Sequence, residues 1–213
     1  MQVNINGEIT PVAQARISPL DRGYLYGDGI FETMRTYQGE IFKLAEHLDR
    51  LFASAQAIML KLPYTRDELQ TELERTLAAN ELADQDAYLR LSFSRGESEG
   101  GIDPTGVDDP TLLIIAKPLA DPQPLANKSW EVVTVPTRRN HPETINPRIK
   151  STNFLNNILA KAEAKLVGAD DGIMLNQAGF VTEGTVSNIF IVKDGRLKTP
   201  PLAAGILAGV TRE

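Results

Sequence analysis

The chain has no cysteine and only two histidines, His47 and His141. Lack of thiols excludes disulfides and thiolate metal sites and points to a cytoplasmic protein. Two histidines do not furnish a histidine-rich metal centre, so no metal is expected. No apolar run approaches the roughly 20 residues needed to span a bilayer. The opening "MQVNINGEIT" has no signal-peptide core. Positive charge is also short: 22 Lys and Arg stand against 28 Asp and Glu, a net charge of −6, which argues against a nucleic-acid partner. What is present is 213 residues, 42% of them hydrophobic, enough for one or two domains with a real core. Chemistry must therefore come from Lys, Arg, Glu, Tyr and Thr, or from a bound cofactor.

Along the chain, "QVNINGEITPV" reads as a hairpin, because Asn6-Gly7 supplies the positive φ values of a tight turn. "GIFETMRTYQGEIF" is a second, turning at Gln38-Gly39. "KLAEHLDRLFASAQAI" places Leu44, Leu48, Leu51, Phe52, Ala55 and Ile58 on one helical face. Another helix opens at the capping box Thr65-x-x-Glu68 and buries Leu69, Leu73 and Leu77. "AYLRLSFSR" and "PTLLIIAK" read as strands. The proline-rich "PLADPQPLANK" contains the expected linker, residues 120–128, between an α+β domain at 1–119 and an α/β domain at 129–213. The second domain opens with the strand "WEVVTVP". A helix then starts near Asn153, with Leu155, Ile158, Leu159, Ala162 and Leu166 inward and Gly168 at its C-terminal cap. Short strands "GIMLN", "GFVTEG" and "SNIFIVKDG" follow. The terminal "AGVTRE" reads as a helix start with Thr211 as cap, so a fragment of a longer protein is expected.

Lys150, in "RIKSTNFLNN", sits at the mouth of that helix, where the dipole disfavours an ammonium. Such an amine is a candidate nucleophile, and position alone does not separate it from a surface lysine. Glu183, among small and β-branched residues, either faces solvent from an edge strand or meets a cation. Arg50 borders an apolar stripe. Its guanidinium suits a phosphate, although spacing alone favours an ion pair with Glu46. Backbone N–H groups around Val210 and Thr211 form a second candidate anion site. His47 reads as a helix-packing residue. "GYLYGDGIFE" lacks the order and context of a dinucleotide loop.

Four segments in this order, "RGYLYGDGIFETMRTYQGEIFKLAEHLDRL", "RIKSTNFLNNILAKAEA", "GFVTEGTVSNIF" and "GILAGVTRE", resemble the fold-type IV pyridoxal-phosphate enzymes. That class-IV aminotransferase family comprises branched-chain aminotransferases, D-amino-acid aminotransferases and aminodeoxychorismate lyases. The resemblance covers nearly the whole chain. It implies an α+β domain followed by an α/β pseudo-barrel domain whose C-terminal part is missing here, and a homodimer. Lys150 matches the lysine that carries pyridoxal 5'-phosphate as an imine, and Glu183 the carboxylate facing the pyridine nitrogen. Arg50, Val210 and Thr211 match the phosphate site, Leu207 the residue packed on the ring, and Phe154 a neighbour of the ring hydroxyl. Tyr26, Phe31, Arg35, Tyr88 and Arg90 match the substrate pocket.

The implied activity is amino transfer between an amino acid, branched-chain-like, and a 2-oxo acid. Tyr88 and Arg90 in "YLR" resemble the branched-chain pocket. Thr33, where those enzymes usually carry glycine, together with "VSNIF" and "AGILAGVTR", looks more like the other two branches. The alternatives are therefore a lyase that releases pyruvate from 4-amino-4-deoxychorismate, a D-amino-acid aminotransferase, or a fragment that keeps only the fold.

Overall fold

The computed structural model describes residues 1–119 and 129–213; the linker expected at 120–128 lies outside them. The described residues form two compact units, one of residues 1–119 with Lys150–Thr152, the other of residues 129–149 with 153–213.

The first unit is built on an antiparallel sheet. Its elements in chain order are β1 (Gln2–Ile5), β2 (Glu8–Pro11), α1 (Arg22–Tyr26), β3 (Gly29–Tyr37), β4 (Glu40–Ile41), α2 (Leu44–Ala57), α3 (Arg66–Ala79), β5 (Ala87–Ser94) and β6 (Thr111–Pro118). The strands lie in the order β2-β1-β6-β5-β3-β4. Both anticipated tight turns form, with Asn6 and Gly7 at φ 53° and 85° and Gln38 and Gly39 at φ 51° and 88°. Thr65 caps α3 in the reciprocal arrangement with Glu68, and Leu69, Leu73 and Leu77 are buried. α2 lies against β3, and α3 against β1 and β6.

Alternation along the strands separates two faces. Ile30, Met34, Leu89, Leu91, Phe93, Leu112, Ile114 and Ala116 supply a buried apolar side, together with a buried Glu32. Phe31, Thr33 and Arg35 on β3, and Tyr88, Arg90 and Ser92 on β5, occupy the alternate positions, in register as Phe31↔Ser92, Thr33↔Arg90 and Arg35↔Tyr88. Four candidate pocket residues thus share one sheet face.

The second unit comprises β7 (Val132–Thr134), α4 (Leu155–Leu166), β8 (Asp171–Leu175), β9 (Val181–Gly184), β10 (Ile191–Lys193) and β11 (Arg196–Lys198). β7 runs parallel to β8, with α4 as the intervening segment, and β9 completes the sheet antiparallel. β10 and β11 form a separate hairpin.

Three local expectations are corrected here. The inward face of α4 is not its leucine face: Leu155, Ile158, Leu159 and Leu166 are 67%, 58%, 50% and 86% exposed, Ala162 is exposed as well, and Asn157, Ala160 and Ala164 are buried instead. Close approach is the reason. A Cβ on Gly172 would lie 3.2 Å from the Ala160 carbonyl and 2.8 Å from Val135 Cγ1, so helix and strand meet through their smallest residues. Lys150 is not at the helix mouth either, because α4 begins at Leu155 with Phe154 as its cap. Lastly, Thr211 does not cap the terminal turn; the Gly209 carbonyl accepts from Arg212 and Glu213.

Lys150–Thr152 instead extends the edge of β3. The Phe31 N–H donates to the Lys150 carbonyl at 2.9 Å and the Thr152 N–H to the Gly29 carbonyl at 2.9 Å, with Ile30 and Ser151 bridged antiparallel. Gly29 makes room for this: a Cβ there would meet the Phe93 carbonyl at 2.6 Å and Thr152 Oγ1 at 3.2 Å. Gly29→Ala is therefore expected to lower unfolding free energy by about 2 kcal/mol through overpacking. Urea denaturation of the two proteins measures it.

Candidate functional site

The Lys150 backbone is pinned on two sides, since its N–H donates to Ser54 Oγ on α2 at 3.2 Å while its carbonyl is held by β3. The side chain runs over the Phe31 ring, with Nζ 4.5 Å from the centroid. The Arg90 guanidinium lies 3.9 Å from the same centroid, steered by a 3.2 Å bond from Nε to Ser92 Oγ. Phe31 is 5% exposed. One aromatic ring thus carries a primary amine and a guanidinium together. Electrostatic attraction to the ring quadrupole favours both positions.

The other pocket candidates are placed differently. Arg35 donates to Asp86 at 2.7 Å and lies over Tyr37, 4.4 Å from its centroid. Tyr88 carries Lys117 Nζ at 4.7 Å over its ring. Tyr26, on α1, is 41% exposed and stacks with Arg22 at 5.2 Å.

Arg50 does not pair with Glu46, as spacing alone suggested. Its Nε and Nη2 grip Glu32 at 2.7 and 2.6 Å, and His47 Nδ1 lies 2.7 Å from the same carboxylate. Glu46 faces Lys43 instead, at 3.5 Å. The Glu32 side chain is fully buried. Burial pushes its pKa up, but the hydrogen bonds from Arg50 and His47, reinforced by their charges, outweigh this and hold it below its ordinary 4.5. No sequence argument singled out Glu32. Its place among Ile30, Met34 and Thr36 on the inward side of β3 was the available signal, since a carboxylate there demands a cation.

In the second unit Glu183 lies on the edge strand β9 but is buried at 5% exposure, so it does not face solvent. The Arg139 Nε donates to it at 2.7 Å, the Leu207 N–H reaches its two oxygens at 3.3 and 3.2 Å, and Asn188 approaches at 3.4 Å. Arg139, also buried, was not anticipated; its guanidinium extends to Asn157 at 3.4 Å. Gly209 lies against Asn188, so tightly that a Cβ would stand 1.9 Å from its Oδ1. Next to it Val210 is buried, Thr211 is exposed, and Phe154 is half-buried. Leu207, whose amide serves Glu183, is also half-buried.

The chemical types present fit pyridoxal phosphate. A half-buried amine over an aromatic ring suits an aldehyde, a buried carboxylate suits a pyridine nitrogen, and a guanidinium locked by a carboxylate suits a phosphate. Among the described residues no group of three or more His, Asp or Glu is arranged to hold a metal. No described helix is long and apolar enough to cross a membrane.

Comparison with known proteins identifies the family. The profile of the amino-transferase class IV family matches residues 29–213. A protein of Methanocaldococcus jannaschii, provisionally named a branched-chain-amino-acid aminotransferase, is 43% identical over all of this chain, which spans 73% of that relative. The aminodeoxychorismate lyase of Bacillus subtilis is 37% identical over 99% of the chain and 71% of its own length. The crystal structure of the branched-chain aminotransferase of Thermoproteus uzoniensis with norvaline superposes with a TM-score of 0.92 at 35% identity, covering all of this chain and 72% of that one. The chain belongs to the class IV aminotransferase family. Its fold is that of the fold-type IV enzymes.

Because the Glu32 carboxylate titrates below its ordinary value, its stabilising contribution is complete above about pH 4.5 and is lost as pH falls through the lowered value. Glu32→Gln is expected to cost about 3 kcal/mol near neutrality, since it strips the half-buried Arg50 guanidinium of its fully buried counterion. The difference from wild type should shrink on acidification. Urea unfolding at a series of pH values tests both magnitude and sign.

Proposed function

We propose that this protein is a pyridoxal 5'-phosphate-dependent aminotransferase exchanging an amino group between an apolar amino acid and a 2-oxo acid. The observation that carries the reading is the shared seat of Lys150 Nζ and the Arg90 guanidinium on Phe31, at 4.5 and 3.9 Å. An amino acid brings an amine-bearing Cα, a carboxylate and a side chain. Arg90 suits the carboxylate, Phe31 an apolar side chain, and Lys150 the chemistry at Cα. The similarity to branched-chain enzymes over the whole chain supports this choice, and the family is pyridoxal-phosphate-dependent.

When bound, the cofactor supplies an electrophilic aldehyde and an electron-poor ring that accepts the pair left by a broken Cα bond. Lys150 would hold it through Nζ, and the same amine would serve as the base that takes the substrate Cα proton and the acid that returns it. Glu183, held by Arg139 and the Leu207 amide, would pair with the pyridine nitrogen and favour positive charge there. Arg50, Val210 and Thr211 would bind the cofactor's phosphate, and Leu207 and Phe154 would hold its ring. Tyr26, Arg35 and Tyr88 line the substrate pocket with Phe31 and Arg90. A homodimer in the cytoplasm is the setting proposed for this activity.

A second reading, the lyase releasing pyruvate from 4-amino-4-deoxychorismate, is favoured by Thr33 and by the similarity to the Bacillus subtilis enzyme. It uses the same amine and cofactor. Borohydride added to the protein mixed with pyridoxal phosphate should fix the cofactor on the peptide containing Lys150, and Lys150→Ala should abolish both label and turnover. L-Leucine or L-glutamate should then move the cofactor absorbance to that of the amine form. No movement, with pyruvate appearing from aminodeoxychorismate, would overturn the aminotransferase reading in favour of the lyase.

A further inference from the structure

We infer that Glu32, assisted by His47, is a positioning residue that sets Arg50 for the phosphate of the cofactor. The inference rests on the cofactor reading above. A free arginine side chain rotates about four bonds and reaches many positions. Here Nε and Nη2 are both tied to Glu32, at 2.7 and 2.6 Å, and this side-on pairing fixes the plane of the guanidinium and turns its Nη1 edge away from the carboxylate. The carboxylate itself cannot swing, because His47 Nδ1 holds Oε2 at 2.7 Å and its side chain has no exposure.

The backbone gives the arrangement its purpose. Phe31 and Glu32 are adjacent on β3. Phe31 receives Lys150, both through its N–H to the lysine carbonyl and through its ring under Nζ. Glu32, directed to the other side of the strand, receives Arg50. Ser54, one helical turn after Arg50 on α2, closes the set by accepting from the Lys150 N–H at 3.2 Å. Two successive strand residues therefore index an amine and a guanidinium against each other. That is the requirement for a ligand whose aldehyde and phosphate stand a fixed distance apart. A guanidinium that merely filled a charge vacancy for Glu32 would need no such registration with the lysine.

The test compares affinity for pyridoxal phosphate with affinity for pyridoxal, which lacks the phosphate, by absorbance titration of the apoprotein. Wild type should prefer the phosphorylated ligand and Arg50→Gln should lose that preference. Glu32→Gln, with folding verified by circular dichroism, should cut the preference about tenfold, the effect of one charge-assisted contact, while pyridoxal affinity stays within about twofold. In the Arg50→Gln background the same change should have no further effect on preference. Equal loss for both ligands, or an unchanged preference in folded Glu32→Gln, overturns the inference while leaving the cofactor reading intact. Should Glu32→Gln not fold, His47→Gln decides, with a smaller drop in preference expected and no drop overturning the inference. Failure of wild type to bind either ligand, or retained preference in Arg50→Gln, would instead strike the cofactor reading itself.

Discussion

Lys150 owes its position to two backbone hydrogen bonds with β3, from Phe31 to its carbonyl and from Thr152 to the Gly29 carbonyl. A lysine side chain has four rotatable bonds, so an amine can be aimed only if its backbone is immobile. Here a three-residue segment is added to the edge of a sheet, where pairing fixes both register and the face toward which each side chain points. Gly29 permits the approach, Ser54 holds the lysine N–H, and the Phe31 ring offers a surface on which the ammonium rests.

The same strand answers a second electrostatic problem. Glu32 in an apolar layer would be costly alone. With Arg50 and His47 it becomes a compact cluster whose members constrain one another. Glu183 meets the identical difficulty in the other unit with different partners: one guanidinium from Arg139 and a backbone amide from Leu207. In both places a buried carboxylate is satisfied by a bidentate or converging donor set, so it is held in one orientation.

Much of this is legible in the sequence. The two tight hairpins, the capping box at Thr65 and Glu68, and strands β5 and β6 followed from turn chemistry and alternation, because those signals are local. The family followed from four ordered motifs. Less legible were partners distant in sequence. Glu32 and Arg50 are 18 residues apart and Arg139 and Glu183 are 44 apart; neither spacing is a helical or strand period. For Arg50 the local rule pointed to Glu46, and the buried carboxylate across the interface between helix and sheet prevailed, because desolvated charges bind more strongly than exposed ones.

α4 shows the same limit from the other side. Its leucines and isoleucine form a regular stripe, and periodicity reads that stripe as the inward face. Packing decided otherwise, since Ala160 against Gly172 allows a separation no leucine would. The sequence by itself determined the longer helices and strands, where the tight turns fall, and the set of reactive side chains that resembles one enzyme family. Tertiary structure alone decided that Lys150 lies on a strand edge rather than at a helix mouth, which cation each buried carboxylate meets, and which side of α4 is covered. The physical reason is range: propensity, capping and turn chemistry act within a few residues, whereas burial and ion pairing depend on what the fold brings alongside.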